Sequence, residues 1–320
     1  MKLALAPIQG MTIAHYRNLY ADIFGSIDKY YAPFIATTNP IKASTSLFRD
    51  ILPESNSSTI NIVPQLLSNN GSDFRSFAST IVNMGYKEIN WNIGCPYPMV
   101  TKKKKGSGIL PYPDMIKEFL DEVCLDKSYN LTVKMRLGLN NLDEGIKAIE
   151  LLNDYPLKGV IIHGRTGIQK YEGSVDLDSF EVLYSSCKHE ITYNGDIFSY
   201  ADFKNISERF PTINNFMLGR GALRDPFLAS TIKGISIPTV EKIVKLRDFH
   251  DGIYKHYKNI LSGDKHLCDK MKEFWMYMSF HIDPSGKFIK KVKKCRTNKA
   301  YLDITNQIFD SMLKELYLTR

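Results

Sequence analysis

Eight short apolar runs, spread over the first 225 residues and mostly separated by segments of helical period, constrain this chain more than anything else in it. They are residues 3–6, 29–36, 61–67, 88–93, 131–137, 159–163, 190–194 and 215–218. Each has strand length, and between them lie amphipathic stretches such as 74–84, which places Phe74, Phe77, Ala78 and Ile81 on one face. Residues 113–124 and 141–152 read the same way, the latter with Asp143 and Glu144 where a helix dipole favours acids. Strand and helix alternating eight times over about 230 residues predict an α/β fold, a (β/α)8 TIM barrel. A doubly wound sheet is the rival architecture. It would carry a glycine-rich fingerprint after the first strand, and Ala6-Pro7-Ile8-Gln9-Gly10 is not one.

The ends of these runs carry the chemistry. Asn90-Trp91-Asn92-Ile93-Gly94-Cys95-Pro96 puts an amide and a thiol just past the fourth strand. Five further runs end alike, in Gln65, in Lys134 and Arg136, in His163 and Arg165, in Asn194-Gly195-Asp196, and in Gly219-Arg220-Gly221. Barrels place function at the C-terminal ends of their strands, so six such ends in order predict one site built from many strands. The loops after strands seven and eight are where barrels commonly bind phosphate, and both are glycine-rich here, with Arg220 adding a fixed charge.

Lys134 and Arg136 alternate on one strand and so share a face. Two cations inside a barrel end are costly unless an anion or an electron-rich ring meets them. A salt-bridge network with acidic residues is the structural alternative. Cys95 sits in a Gly-Cys-Pro turn rather than inside an element, and a thiol with an ordinary pKa near 8.5 is mostly protonated at neutral pH, able to act as an acid as well as a nucleophile. The run Lys102 to Lys105 followed by Gly106-Ser107-Gly108 suggests a basic loop beside Cys95, suited to a phosphate-bearing substrate or a closing lid.

From about Pro238 the pattern changes to helices alone, at 240–261, 265–282, 288–296 and 304–318. The expected organisation is a catalytic barrel over 1–235 and a small helical-bundle domain over 239–320, joined at Gly234 to Pro238. The chain carries a net +8, and residues 239–320 hold 17 Lys+Arg against 10 Asp+Glu, so nearly all the excess lies there. This asymmetry predicts a polyanion-binding appendage on a near-neutral body. Within it, residues 287–296 form a basic amphipathic helix, with Phe288, Val292 and Cys295 on its core side and Lys287, Lys290, Lys291 and Lys294 outside. Such a stripe can neutralise several phosphates. A solvated face or a membrane-surface helix is the alternative.

Five cysteines without a CxxC pair fit no zinc site, and the odd count suggests free thiols in a cytoplasmic protein. No apolar run approaches the ~20 residues of a membrane span. Leu3-Ala4-Leu5-Ala6 runs into Pro7, so no signal-peptide core is expected. Neither metal nor membrane is expected, and the protein is expected to act as a monomer.

Taken in order, Ala6-Pro7-Ile8-Gln9-Gly10-Met11-Thr12, Gln65-Leu66-Leu67, Asn92-Ile93-Gly94-Cys95-Pro96, Val133-Lys134-Met135-Arg136-Leu137-Gly138, His163-Gly164-Arg165-Thr166, Asn194-Gly195-Asp196-Ile197 and Gly219-Arg220-Gly221-Ala222 resemble the tRNA-dihydrouridine synthases, over residues 3 to about 228. The resemblance implies an FMN-dependent enzyme that uses NADPH to reduce selected uridines of tRNA at the 5,6 double bond. It implies that Ala6, Pro7, Ile8 and Gln65 contact the flavin ring. Lys134 and His163 would lie against its pyrimidine side, and Asn194, Gly195, Asp196, Gly219 and Arg220 would hold its phosphate region. It places Asn92 and Arg165 near the target uracil and makes Cys95 the acid that protonates C5 after hydride reaches C6. The helical domain would hold the tRNA, and the uridine would be flipped out of its stack. The chain departs from the family's pattern at Ile8 and Gln9, at Thr37-Thr38-Asn39, and in the lysine run. Three other readings use the same fold. They are a dihydroorotate dehydrogenase-like oxidoreductase on a small pyrimidine, a non-catalytic tRNA-binding protein, and an aldolase-type barrel with a Lys134 Schiff base.

Overall fold

The structure, a computed structural model, describes residues 1–37, 45–283 and 286–318. The chain divides into two compact units. The first comprises Met1–Ala14, Asp28–Asp196 and Ile206–Gly219, the second His15–Ile27, Ile197–Asn205 and Arg220–Arg320.

In the first unit every strand pairing is parallel. The strands are β1 (Lys2–Leu5), β2 (Lys29–Tyr31 and Ile35–Ala36), β3 (Ile62–Val63 and Gln65–Leu67), β4 (Glu88–Ile93), β5 (Asn130–Arg136), β6 (Gly159–His163), β7 (Ile191–Asn194) and β8 (Asn215–Leu218). Pro33 and Pro64 interrupt β2 and β3, because proline has no N–H for the ladder. Pairing runs from β3 through β4, β5, β6, β7, β8 and β1 to β2. Tyr30 of β2 then pairs with Ile62 of β3, while Gln65 of β3 pairs with Asn90 of β4. β3 therefore has neighbours on both sides, and the ring of eight closes into the expected barrel.

The two faces of each strand have different duties. Leu66, Trp91, Val133, Ile162 and Tyr193 are fully buried on the outer face. Trp91 stacks on Phe119 of the helix Pro113–Val123, with ring centroids 3.9 Å apart. Phe119 also meets Phe74 of the helix Gly71–Asn83 edge-on. That helix starts three residues before its first apolar position because the Asn70 side chain accepts the Asp73 N–H at 2.7 Å. Facing inward, Ala4, Ala6, Tyr31, Val63, Ile161 and Met217 form one buried cluster. At the N-terminal end of β4, the buried Glu88 accepts from both Lys29 (3.0 Å) and Lys158 (2.5 Å). This is the stability end of a barrel rather than its working end.

The second unit contains the helices Thr239–Ile260, Asp264–Ile282, Lys287–Lys294 and Asn298–Leu318. The last begins six residues earlier than its apolar pattern suggests, because Tyr301 in its first turn is a core residue. Its hydroxyl accepts from Trp275 Nε1 at 2.9 Å and lies 2.6 Å from His250 Nε2. Burial pushes the His250 imidazole below its ordinary value, although Asp251 partly opposes this. On Lys287–Lys294, Val292 is buried and Cys295 follows it into the core. Lys287, Lys290, Lys291, Lys293 and Lys294 are exposed, so the helix presents the expected basic face. No helix among the described residues is long and apolar enough to cross a membrane.

Candidate active site

Cys95 is held on both sides. The Asn92 side chain reaches forward so that its Oδ1 accepts the N–H groups of Gly94 (3.0 Å) and Cys95 (2.9 Å). From the far side, the Ser107 N–H and hydroxyl donate to the Cys95 carbonyl at 3.0 and 3.1 Å. Gly106 makes that approach possible. It has φ +57°, and a Cβ there would lie 2.5 Å from the Cys95 carbonyl oxygen. The segment from 98 to 109 is thus a short helix (Pro98–Thr101) and a 3-10 turn (Gly106–Ile109) packed against the cysteine. Gly106, Ser107 and Gly108 are buried, so the expectation of a flexible lid is corrected. Those small residues allow close packing instead of motion. Lys105 donates to the Thr37 carbonyl at 3.0 Å, while Lys102 to Lys104 remain exposed. Thr38 and Asn39 lie outside the described residues.

Burial pushes the Cys95 thiol up from its ordinary value. The Tyr97 N–H on Sγ and the charges of Arg136 and Lys134 pull the other way without cancelling it. The side chain therefore carries its proton at neutral pH.

Behind the thiol, a chain of amides crosses three strands. Asn92 Nδ2 donates to Gln65 Oε1 at 2.7 Å, Gln65 Nε2 donates to Asn90 Oδ1 at 2.7 Å, and Asn90 Nδ2 donates to Thr132 Oγ1 at 3.0 Å. All four residues are buried. Such a chain fixes the rotamers of its members, since breaking any link strands a buried polar group. Asn90 and Thr132 lie inside apolar runs and carry no strand-end signature in the sequence. Their signal was period two, as each sits two residues before a named site residue on its strand.

Lys134 pairs with Asn92 across β4 and β5 and with Ile161 on β6. Burial and the neighbouring Arg136 charge push its ammonium down to about 7, with Cys95 acting in the opposite sense. No hydrogen bond of its side chain is formed with the described residues, and no acid pairs with it. Arg136 is different. Its Nε donates to the Gly94 carbonyl at 3.0 Å and its Nη1 to the Thr166 carbonyl at 2.7 Å, tying the loops after β4 and β6 to β5.

His163 ends β6 beside the fully buried Arg165, whose Nη1 lies 3.4 Å from His163 Nε2. Arg165 forms a bidentate pair with Asp196 and also donates to the carbonyls of Glu172 and Gly173. Charge-assisted bidentate pairs are among the strongest hydrogen bonds, and this one fixes the loops after β6 and β7 together. Gly195 precedes it at φ +144°, where a Cβ would meet Val175 at 2.6 Å. The Asn194 side chain donates to the Met217 carbonyl at 2.9 Å. After β1, Ala6 donates to the Leu218 carbonyl, and the Ile8 N–H donates to Thr12 Oγ1 at 2.8 Å, setting the turn that holds Ala6, Pro7 and Ile8. Gly219 follows β8 in the first unit. Arg220 opens a helix of the second, its guanidinium 5.4 Å from the Phe198 ring centroid.

One mouth thus gathers Gln65, Asn92, Cys95, Lys134, His163, Arg165, Asn194, Gly195 and Asp196 from five strand ends. No group of three or more His, Cys, Asp or Glu among the described residues could hold a metal ion. Residues 4–312 match the dihydrouridine synthase (Dus) family. The chain belongs to the dihydrouridine synthase family. Among its relatives, a tRNA-dihydrouridine(16) synthase of Neisseria meningitidis serogroup B is 30% identical over 239 residues, covering 72% of this chain and 71% of the relative. One from Neisseria meningitidis serogroup A is 26% identical over 301 residues, covering 91% and 90%. Among solved structures, a morphinone reductase in complex with tetrahydroNAD superposes with a TM-score of 0.51 at 11% identity, over 74% of this chain and 88% of the other. At that identity the likeness is one of fold alone. As a dihydrouridine synthase, the chain is an enzyme, which excludes the non-catalytic alternative.

Proposed function

We propose that this dihydrouridine synthase reduces specific uridines of tRNA to 5,6-dihydrouridine, with FMN as cofactor and NADPH as reductant. The single observation that carries the reading is the pair formed by Cys95, a buried thiol that keeps its proton, and Lys134, a half-buried cation that no described side chain pairs with. A pyrimidine ring reduced by hydride at C6 needs a proton at C5, and an electron-rich ring would supply what Lys134 lacks.

The residues present fit a flavin. Lys134 and His163 offer positive or donor groups from β5 and β6, and Gln65 keeps a second amide N–H beyond the one given to Asn90. The backbone of Ala6, Pro7 and Ile8 edges the mouth. Asn194, Gly195, Asp196 and Gly219, with its sequence neighbour Arg220, would hold a phosphate. Asp196 would do so through its main chain, since its carboxylate is taken by Arg165. When bound, reduced FMN supplies the hydride that is delivered to uracil C6. The Cys95 S–H donates its proton to C5, leaving a thiolate that the Lys134 and Arg136 charges stabilise. Asn92 holds the turn that aims Sγ, and Arg165 shapes the far wall of the pocket beside His163. The uridine must leave its stack to reach a barrel mouth. The lysines at 287, 290, 291 and 294 in the helical 239–320 domain would hold the tRNA by its phosphates, whereas the 1–235 barrel carries the chemistry.

The test is the absorbance spectrum of the purified protein, followed by dihydrouridine mapping of unmodified tRNA incubated with it and NADPH. A yellow protein that reduces a defined uridine supports the proposal and names the position. A yellow protein that is inactive on tRNA but active on a free pyrimidine shifts the assignment to a dihydroorotate dehydrogenase-like reaction. A colourless protein that takes up no FMN overturns the cofactor assignment.

A further inference from the structure

The barrel mouth has a rim of exposed rings and apolar chains that the chemistry above does not use. On the loop after β4, Tyr97 is 57% and Met99 84% exposed. On the loop after β6, Ile168 is 62% and Tyr171 48% exposed. Large apolar side chains gathered around a site, rather than scattered over a surface, mark a place where something docks.

The two tyrosines border the same opening. Tyr97 lies two residues beyond Cys95 and its N–H reaches the thiol. The Tyr171 ring centroid is 6.3 Å from that of His163 and 5.5 Å from the Arg136 guanidinium. Burial pushes the Tyr97 hydroxyl above its ordinary value, the nearby Tyr171 hydroxyl adds to this, and the Arg136 charge partly opposes it, so the two tyrosines lie close enough to influence each other. Next to the rim, Lys102, Lys103 and Lys104 are exposed, and Lys104 lies 4.1 Å from the Tyr112 ring centroid. Rings alternating with lysines are the surface that unpaired nucleic acid recognises, bases stacking on the rings while phosphates follow the cations. An apolar peptide would leave the lysines unanswered.

We infer that Tyr97 and Tyr171 form a stacking clamp for the unpaired nucleotides flanking the one that enters the mouth, with the phosphates along Lys102 to Lys104. The inference rests on the RNA-reduction reading and adds how the flipped strand is held. A nucleotide extruded from its stack leaves its neighbours without a partner, and rings on the rim replace the lost stacking.

The experiment compares Tyr97→Leu and Tyr171→Leu with Tyr97→Phe and Tyr171→Phe in the full-length, flavin-loaded protein. Binding of a fluorescein-labelled oligouridylate is followed by anisotropy, and tRNA reduction by steady-state kinetics. The leucine variants are expected to weaken oligouridylate binding about 5- to 100-fold and to raise KM for tRNA. Their kcat and their NADPH oxidation without RNA should be unchanged, and the phenylalanine variants should behave like wild type. Leucine variants that bind as wild type overturn the clamp, and so do phenylalanine variants that lose as much as leucine. If wild type binds oligouridylate through these rings yet reduces no tRNA, the clamp stands and the uridine-reduction reading falls.

Discussion

Lys134→Met tests the electrostatics of the site without any ligand. The ammonium is pushed from an ordinary 10.5 to about 7, chiefly by burial and then by Arg136. The folded-state value is lowered, so between about pH 7 and 10.5 the unfolded chain binds a proton that the folded chain does not. Stability therefore rises with pH across that window and is flat in this respect below it. Between pH 6 and pH 9 the displaced proton spans roughly two pH units, or about 3 kcal/mol before screening. The side chain keeps some access to the mouth, and solvent screening reduces this to about 1–2 kcal/mol. Methionine keeps the unbranched shape and removes the charge. Urea unfolding of the flavin-free protein at pH 6 and pH 9 should show Lys134→Met gaining about 1–2 kcal/mol over wild type at pH 6 relative to pH 9. Flavin affinity of the variant should fall. An identical pH difference in both proteins would refute the claim that Lys134 is held as a strained cation waiting for an electron-rich partner.

Four further outcomes are expected. Cys95→Ala should keep FMN binding and NADPH-driven flavin reduction while losing uridine reduction. In wild type the basic limb of the pH–rate profile should lie above the ordinary thiol range, because burial raises the group. Gly106→Ala should cost roughly 1–3 kcal/mol in thermal or urea unfolding and lower turnover, since the strained φ and the contact with the Cys95 carbonyl displace the turn; an unchanged rate would show that this loop does not position the thiol. Replacing Lys290, Lys291 and Lys294 with Glu should weaken tRNA binding and flatten the slope of log affinity against log salt by about 2 to 3, as read by filter binding over a salt series.

Much of the fold was legible because a parallel barrel strand writes itself as a short apolar run and a helix as a 3.6-residue stripe. All eight strands fall where the runs do, and Pro33 and Pro64 merely split two of them. The site was legible where polar residues broke those runs, as at Asn92, Lys134 and His163. Asn90 and Thr132 are not legible as site residues, because a polar residue inside an apolar run has no visible partner in one dimension. Arg165 and Asp196 show the limit in another way. Each looks like a ligand contact in sequence, and their bidentate pairing depends on two loops 31 residues apart meeting in space. Segment 98–109 read as a loose basic loop because the sequence shows its lysines and glycines, whereas the Ser107 contact to Cys95 depends on how the turn folds back.

The sequence alone determined the order of elements, the strand ends that carry function, and the placement of excess positive charge in the last quarter of the chain. These follow from local spacing and composition, which need no partner to be read. Tertiary structure alone decided which cation is tied and which is left without a partner. Arg136 and Lys134 are two residues apart on one strand, yet one reaches two carbonyls and the other none. Burial and reach are properties of the closed barrel, not of the residues, and they set the proton on Cys95 and the charge on Lys134.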